Sequence, residues 1–110
     1  MDKAHLSYVA WIVFILSAAL EVGGDAIIRK GLFGKSYLLI ITGCLILSSY
    51  GLLVNTLKWD FSKLLGVYVS VFALVSVLFG KVFFHDTVSV GTIVGIAFIV
   101  IGGLVIHNFG

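Results

Sequence analysis

The chain has 110 residues, of which 61% are hydrophobic and 11% charged, with no proline and a formal net charge of +2. Soluble domains average about 45–50% apolar and about 25% charged residues, and a chain this short cannot bury so much apolar surface against water. The composition therefore excludes an ordinary soluble domain, and the small net charge does not suggest a nucleic-acid partner. It predicts a small integral membrane protein.

Four continuous apolar runs follow one another, each within the roughly 17–25 residues that a transmembrane helix needs. They lack the alternating polarity of transmembrane β-strands, and the first run is too long for the core of a signal peptide. We predict an all-α membrane protein with four transmembrane helices, forming a single domain over residues 1–110. The predicted spans cover residues 6–28, 37–57, 64–84 and 88–106.

Short polar segments separate the predicted spans. Arg29–Lys35 is basic and contains glycines, which predicts a loop, and Lys58–Lys63 predicts a polar turn. His85–Thr87 predicts a last turn, in which Asp86 or Thr87 caps the fourth helix. No segment is long enough to form a domain outside the membrane.

The basic residues that flank the spans are nearly balanced between the two sides of the membrane. One side carries Lys3, Lys58 and Lys63, and the other carries Arg29, Lys30, Lys35 and Lys81. The positive-inside rule therefore fixes no orientation. We expect the chain to insert in both orientations and to form an antiparallel homodimer. The alternative is a chain that a partner holds in one orientation.

The fourth span contains no charged residue and carries regularly spaced glycines. Gly91 and Gly95 form a GxxxG pattern, and Gly102 follows two turns later near the same face. Small residues let helix backbones approach closely in lipid. We predict that Gly91, Gly95 and Gly102 lie in the dimer interface, with packing inside the chain as the alternative.

The first span carries Glu21 inside its apolar run, with Asp25 and Arg29 on the same face at the next two turns. An ionisable group in hydrocarbon is costly, and it marks a functional site by default. Loss of hydration disfavours the ionised carboxylate, so Glu21 can exchange protons, and in its ionised form it can bind an organic cation. Competition between the two is the simplest basis for proton-coupled antiport. The alternative is a structural pairing of Glu21.

Several polar and aromatic residues complete the predicted site. Serine hydroxyls and small residues leave room beside the acid, and tyrosine rings can contact a cation. Asp25 either contacts substrate or pairs with Arg29. The predicted substrate and proton site comprises Glu21, Asp25, Ser49, Tyr50, Tyr68, Gly24 and Ser17. The single cysteine and the scattered histidines predict no catalytic residue, metal site or cofactor, and we do not expect an enzyme.

Two segments carry a family resemblance. Ala19–Gly24, with Arg29 eight positions after Glu21, resembles the Glu-Val-x-Gly motif of the small multidrug resistance family, within the drug/metabolite transporter superfamily. Gly95–Gly103 resembles the glycine-spaced dimerisation segment of that family. The resemblance implies an antiparallel dimer with both copies of Glu21 in one site, in the inner (cytoplasmic) membrane of a prokaryote. It implies exchange of protons for quaternary ammonium or guanidinium cations by alternating access.

The third span departs from the family pattern. Typical members carry Gly-x-Ala-Tyr-Ala-Ile-Trp there, whereas Tyr68 stands in place of the tryptophan and Leu65 in place of the tyrosine. Asp25 replaces a small hydroxyl residue. These departures leave open a polyamine or lipid-linked substrate. A dual-topology ion channel, and a subunit that acts only as a heterodimer with a homologue, are further alternatives.

Overall fold

The computed structural model describes residues 3–110, with side chains from Tyr8 onward. Its helices are α1 (Lys3–Phe33), α2 (Tyr37–Val54), α3 (Phe61–Phe83) and α4 (Val90–Phe109), and this part of the chain contains no strand. All four helices are long and apolar enough to cross a membrane. The predicted all-α architecture with four spans is thus confirmed. The side chain of Lys3, which the charge balance counts, lies outside the described residues, as do Met1 and Asp2.

The chain forms two compact units, Met1–Thr56 and Leu57–Gly110. The first unit packs α1 against α2, and the second packs α3 against α4. Each unit is a hairpin of two helices. The single-domain organisation expected from the sequence stays a prediction.

Helix α1 continues through Arg29 and Lys30 to Phe33, so the predicted loop over residues 29–35 is wrong for most of its length. Basic side chains are favourable in the last turn of a helix, because they interact with its negative end. The chain reverses only at Lys35, whose φ of 54° is left-handed. Ser36 then caps α2 by accepting a hydrogen bond from the Leu39 N–H at 3.3 Å.

The first hairpin is held by a close approach of two glycines. A Cβ atom placed on Gly24 would lie 3.0 Å from the Gly43 carbonyl oxygen, and one placed on Gly43 would lie 2.8 Å from that of Gly24. Two turns further along α1, a Cβ on Gly31 would lie 2.9 Å from Ile40 N. Small residues allow this backbone contact, which gives dispersion energy in a setting where lipid competes for apolar side chains.

The second hairpin also has a close contact at a glycine, between Gly103 of α4 and Ser70 of α3. A Cβ on Gly103 of α4 would lie 2.5 Å from Ser70 Oγ of α3. Ser70 is buried and donates its hydroxyl hydrogen to the Val67 carbonyl oxygen at 2.7 Å. One turn further along α4, Ile106 packs over Gly66. These contacts define which face of α4 is turned toward α3.

The helix ends differ from the predicted spans where polar side chains bind the backbone. Helix α2 ends at Val54, because Asn55 and Thr56 bond the carbonyl oxygens of Gly51 and Leu53. Helix α4 begins at Val90, and its cap is Ser89, which accepts a hydrogen bond from the Thr92 N–H at 3.1 Å. The predicted cap at Asp86 or Thr87 is therefore wrong, because the helix starts later than expected.

Candidate functional site

The first hairpin places Glu21 beside Tyr50. Both side chains are half-buried, and the Glu21 carboxylate interacts electrostatically with Tyr50 across α1 and α2. The contact of Gly24 with Gly43 fixes the antiparallel register that brings these two turns together. A phenol can donate a hydrogen bond to a carboxylate, and its ring can contact a cation. An acid and an aromatic hydroxyl therefore lie within electrostatic range of each other in this hairpin.

Ser17 lies one turn before Glu21, and its hydroxyl oxygen is completely buried with no hydrogen-bond partner among the residues that the structure describes. Two serines of α2 behave differently. Ser48 and Ser49 donate to the carbonyl oxygens of Cys44 and Leu45, each at 3.1 Å. A buried hydroxyl without a partner costs free energy. Ser17 therefore holds an unused polar group next to the acid, which a water molecule or a bound ligand can satisfy.

Replacement of Ser17 by alanine is expected to stabilise the folded protein by about 1 kcal/mol, because it removes an unpartnered buried hydroxyl. Ser70→Ala is the matched control, since it removes a buried hydroxyl that does have a partner, the Val67 carbonyl. Unfolding in mixed micelles with rising SDS, followed by circular dichroism, measures both variants. If Ser17→Ala lost as much stability as Ser70→Ala, the Ser17 hydroxyl would have a partner within the protein.

Asp25 and Arg29 occupy the turns after Glu21. The Asp25 side chain is exposed, and no ion pair joins it to Arg29 among the described residues. The Arg29 guanidinium lies 5.1 Å from the centroid of the Phe33 ring, a cation–π contact within the last turn of α1. The Asp25 side chain is thus accessible to a ligand.

The remaining predicted site residues have different surroundings. Gly24 is buried in the contact between α1 and α2, and Ser49 is exposed with its hydroxyl bonded to the backbone. Tyr68 is 3% exposed, belongs to the second unit, and lies 6.4 Å from Phe72 between ring centroids. The first unit therefore groups Ser17, Glu21 and Tyr50, while Tyr68 belongs to α3 of the second unit.

The glycines predicted for the dimer interface lie on the open side of α4. Gly91, Gly95 and Gly102 are all exposed, and no atom lies within 4 Å of a Cβ placed on Gly95 or Gly102. Gly103, which the sequence reasoning did not single out, is the glycine that meets α3. Gly102 and Gly103 are adjacent, and their spacing from Gly95 alone could not decide which of them meets a neighbouring helix.

No family model matches the chain, and no solved structure is detectably similar to it. Over 72 residues it is 36% identical to a UPF0060 membrane protein of Clostridium beijerinckii. The matched region covers 63% of this chain and 65% of that protein, so the similarity does not extend over the whole of either. Together with four apolar helices, this homologue supports an integral membrane protein.

Proposed function

We propose that the chain is a small proton-coupled antiporter of the small multidrug resistance type, which exports small organic cations. The observation that carries the proposal is the placement of the Glu21 carboxylate, half-buried on an apolar helix, beside Tyr50. The Glu-Val-x-Gly resemblance around Glu21 adds support. A carboxylate in hydrocarbon is energetically costly, so its presence indicates a function. Binding of a proton or a cation is a sufficient function, and no enzymatic reaction is needed to account for the carboxylate.

The proposed mechanism is an exchange of ligands at one carboxylate. The cation binds ionised Glu21, with the Tyr50 ring and hydroxyl against it, and uptake of a proton by the carboxylate releases the cation. The unsatisfied Ser17 hydroxyl adds a polar contact one turn away. Because proton and cation exclude each other, the pH gradient that drives protons inward drives the cation outward. The two copies of Glu21 in an antiparallel homodimer form the site, in the inner membrane of a prokaryote.

Transport by purified protein in liposomes tests this proposal. We expect saturable fluxes of methylguanidinium or tetramethylammonium at the low rates of a carrier. The fluxes should depend on an imposed pH gradient and change direction when the gradient is reversed. Currents far above carrier rates would replace the antiporter with a small ion channel. Absence of flux until a homologous chain is co-expressed would replace it with a subunit of a heterodimer.

Asp25 favours a polyamine as a second candidate substrate. It is exposed one turn from Glu21, and residues at this spacing on a helix have Cβ atoms about 5–6 Å apart. Two carboxylates so placed match two ammonium groups on a short carbon chain. In the same liposomes, putrescine should then compete with methylguanidinium, and Asp25→Asn should remove the competition by putrescine while leaving methylguanidinium flux in place.

Replacement of Gly95 by leucine is expected to weaken dimer formation at least tenfold, because the side chain would hold the two α4 helices apart. Gly51→Leu is the control, since Gly51 also has no atom within 4 Å of an added Cβ but lies on α2. Energy transfer between fluorophores on Cys44, the single and exposed cysteine, measures association in liposomes. Equal association of both variants would contradict an interface formed by α4.

A further inference from the structure

The second unit contains a polar cleft that is separate from Glu21. It has a volume of about 330 Å³ and opens where the C-terminal half of α3 meets the connector and the first turn of α4. Its lining combines one carboxylate, three hydroxyl-bearing residues and two valines, namely Ser76, Val77, Asp86, Thr87, Val88 and Thr92. This volume lies at the lower end of the range for small-molecule sites, about 300–1,000 Å³.

The connector turns the Asp86 carboxylate onto α3. The backbone N–H groups of Phe84 and Asp86 both donate to the Gly80 carbonyl oxygen, at 3.1 and 3.0 Å, and His85 between them has a left-handed φ of 57°. A Cβ on Gly80 would lie 2.6 Å from Asp86 Oδ2, so the glycine leaves the space that the carboxylate occupies. A glycine inside a helix and a left-handed histidine are both locally unfavourable. Both occur here where they allow the Asp86 carboxylate to lie in the cleft.

The negative charge of Asp86 is uncompensated in the part of the chain that the structure describes. No hydrogen bond or ion pair engages its carboxylate there, and the helix cap that it was predicted to supply is supplied by Ser89. The residues that line the cleft include no lysine, arginine or histidine. A cation is therefore the complementary ligand.

The remaining lining groups define what kind of cation fits. The Ser76 hydroxyl donates to the Ala73 carbonyl at 2.8 Å, which leaves its oxygen as an acceptor, and Thr92 Oγ1 lies 3.0 Å from Ser89 Oγ. Residues 8–110 contain no cluster of three or more His, Cys, Asp or Glu of the kind that holds a metal ion. One carboxylate, hydroxyl acceptors and two valines suit a monovalent organic cation with several N–H donors.

We propose that this cleft binds a small organic cation through an ammonium or guanidinium group, with the Asp86 carboxylate as its counter-charge. The cleft lies where α3 ends and α4 begins, so the cation is held at the edge of the membrane rather than in its interior. The proposal does not depend on Glu21 or on transport, because every group that makes the site belongs to the second unit.

A titration of the full chain in lipid nanodiscs tests the proposal. Methylguanidinium is added to the Glu21→Gln variant, which removes the central carboxylate of the proposed transport site, and backbone amide shifts of residues 76 and 86–92 are followed by NMR. We expect saturable shifts on this segment and at least tenfold weaker binding after Asp86→Asn. Asp60→Asn is the matched control, because it removes an exposed acid at the start of α3 and should leave the affinity unchanged.

Gly80→Ala is a second variant that keeps every polar group of the cleft. Its methyl group would displace the Asp86 carboxylate, so we expect binding to weaken as it does after Asp86→Asn. Equal affinities of the Asp86→Asn and Asp60→Asn variants, or no saturable shift on this segment, would overturn the proposal. Because the titration is performed without Glu21, an absence of proton-coupled flux in liposomes would reject the antiporter and leave this result standing.

Discussion

Glu21→Gln is expected to reduce proton-coupled cation flux to the level of protein-free liposomes. Glutamine keeps the size of the side chain and one acceptor oxygen, but it can neither exchange a proton near neutral pH nor carry the charge that holds a cation. Flux of methylguanidinium under an imposed pH gradient measures the effect. Asp60→Asn, which removes an exposed acid that makes no side-chain cap bond, should transport as the unchanged protein does.

The same experiment has a signature that a merely structural role of Glu21 would not give. If proton and cation compete for one carboxylate, the apparent Kd for the cation rises by up to about tenfold for each pH unit below the titration of the site. Glu21→Gln should remove this dependence, and Tyr50→Phe should keep it while it weakens cation binding. Unchanged flux in Glu21→Gln, or a Kd that does not depend on pH, would reject the proposed exchange.

The largest expected effect on stability comes from Gly43→Ala. Its methyl group would lie 2.8 Å from the Gly24 carbonyl oxygen and 2.5 Å from Ile28 Cγ1. The isoleucine can rotate away, but the carbonyl is part of the α1 backbone, so the two helices must separate. Overpacking of this kind costs about 1–3 kcal/mol. The change should appear as a lower midpoint of SDS unfolding and as a looser first hairpin.

Gly51→Ala in the same helix isolates the packing effect. Both substitutions gain the helix propensity of alanine, roughly 1 kcal/mol over glycine, but nothing lies within 4 Å of a Cβ on Gly51. The difference between the two unfolding free energies therefore reports the contact with α1 alone. A difference near zero would mean that α1 and α2 do not meet at these glycines in the membrane.

Hydropathy was sufficient to predict the four helices, because a run of apolar residues long enough to span lipid has to satisfy its own backbone hydrogen bonds. The ends were harder to predict. Arg29 and Lys30 suggested a loop, but basic side chains extend well from the last turn of a helix, and α1 includes both. The late start of α4 depends on a serine cap that was no stronger as a sequence signal than Asp86 or Thr87.

The sequence was sufficient to predict the acidic residue of the candidate site, but not the residues that surround it. Glu21 stood out because a charge inside an apolar run has few explanations. The proximity of Tyr50 depends on the register of α1 against α2, which is set by Gly24 and Gly43. Glycine is common in membrane helices, so the sequence alone could not show which glycines meet. The same uncertainty hid the roles of Gly80 and Gly103.

The extension of α1 to Phe33 changes how Glu21 relates to the membrane voltage. Counted from Leu6, a span that continues to Phe33 has its midpoint within one turn of Glu21, whereas a span that ended at Ile28 would have centred on Ser17. Turning such a chain upside down leaves the carboxylate at nearly the same depth. Moving a unit charge across the whole membrane is worth about 2.3 kcal/mol per 100 mV. A site at the centre of the membrane divides this work almost equally between entry from one face and exit to the other. Ions that reach Glu21 from opposite faces would cross nearly the same fraction of the electric field.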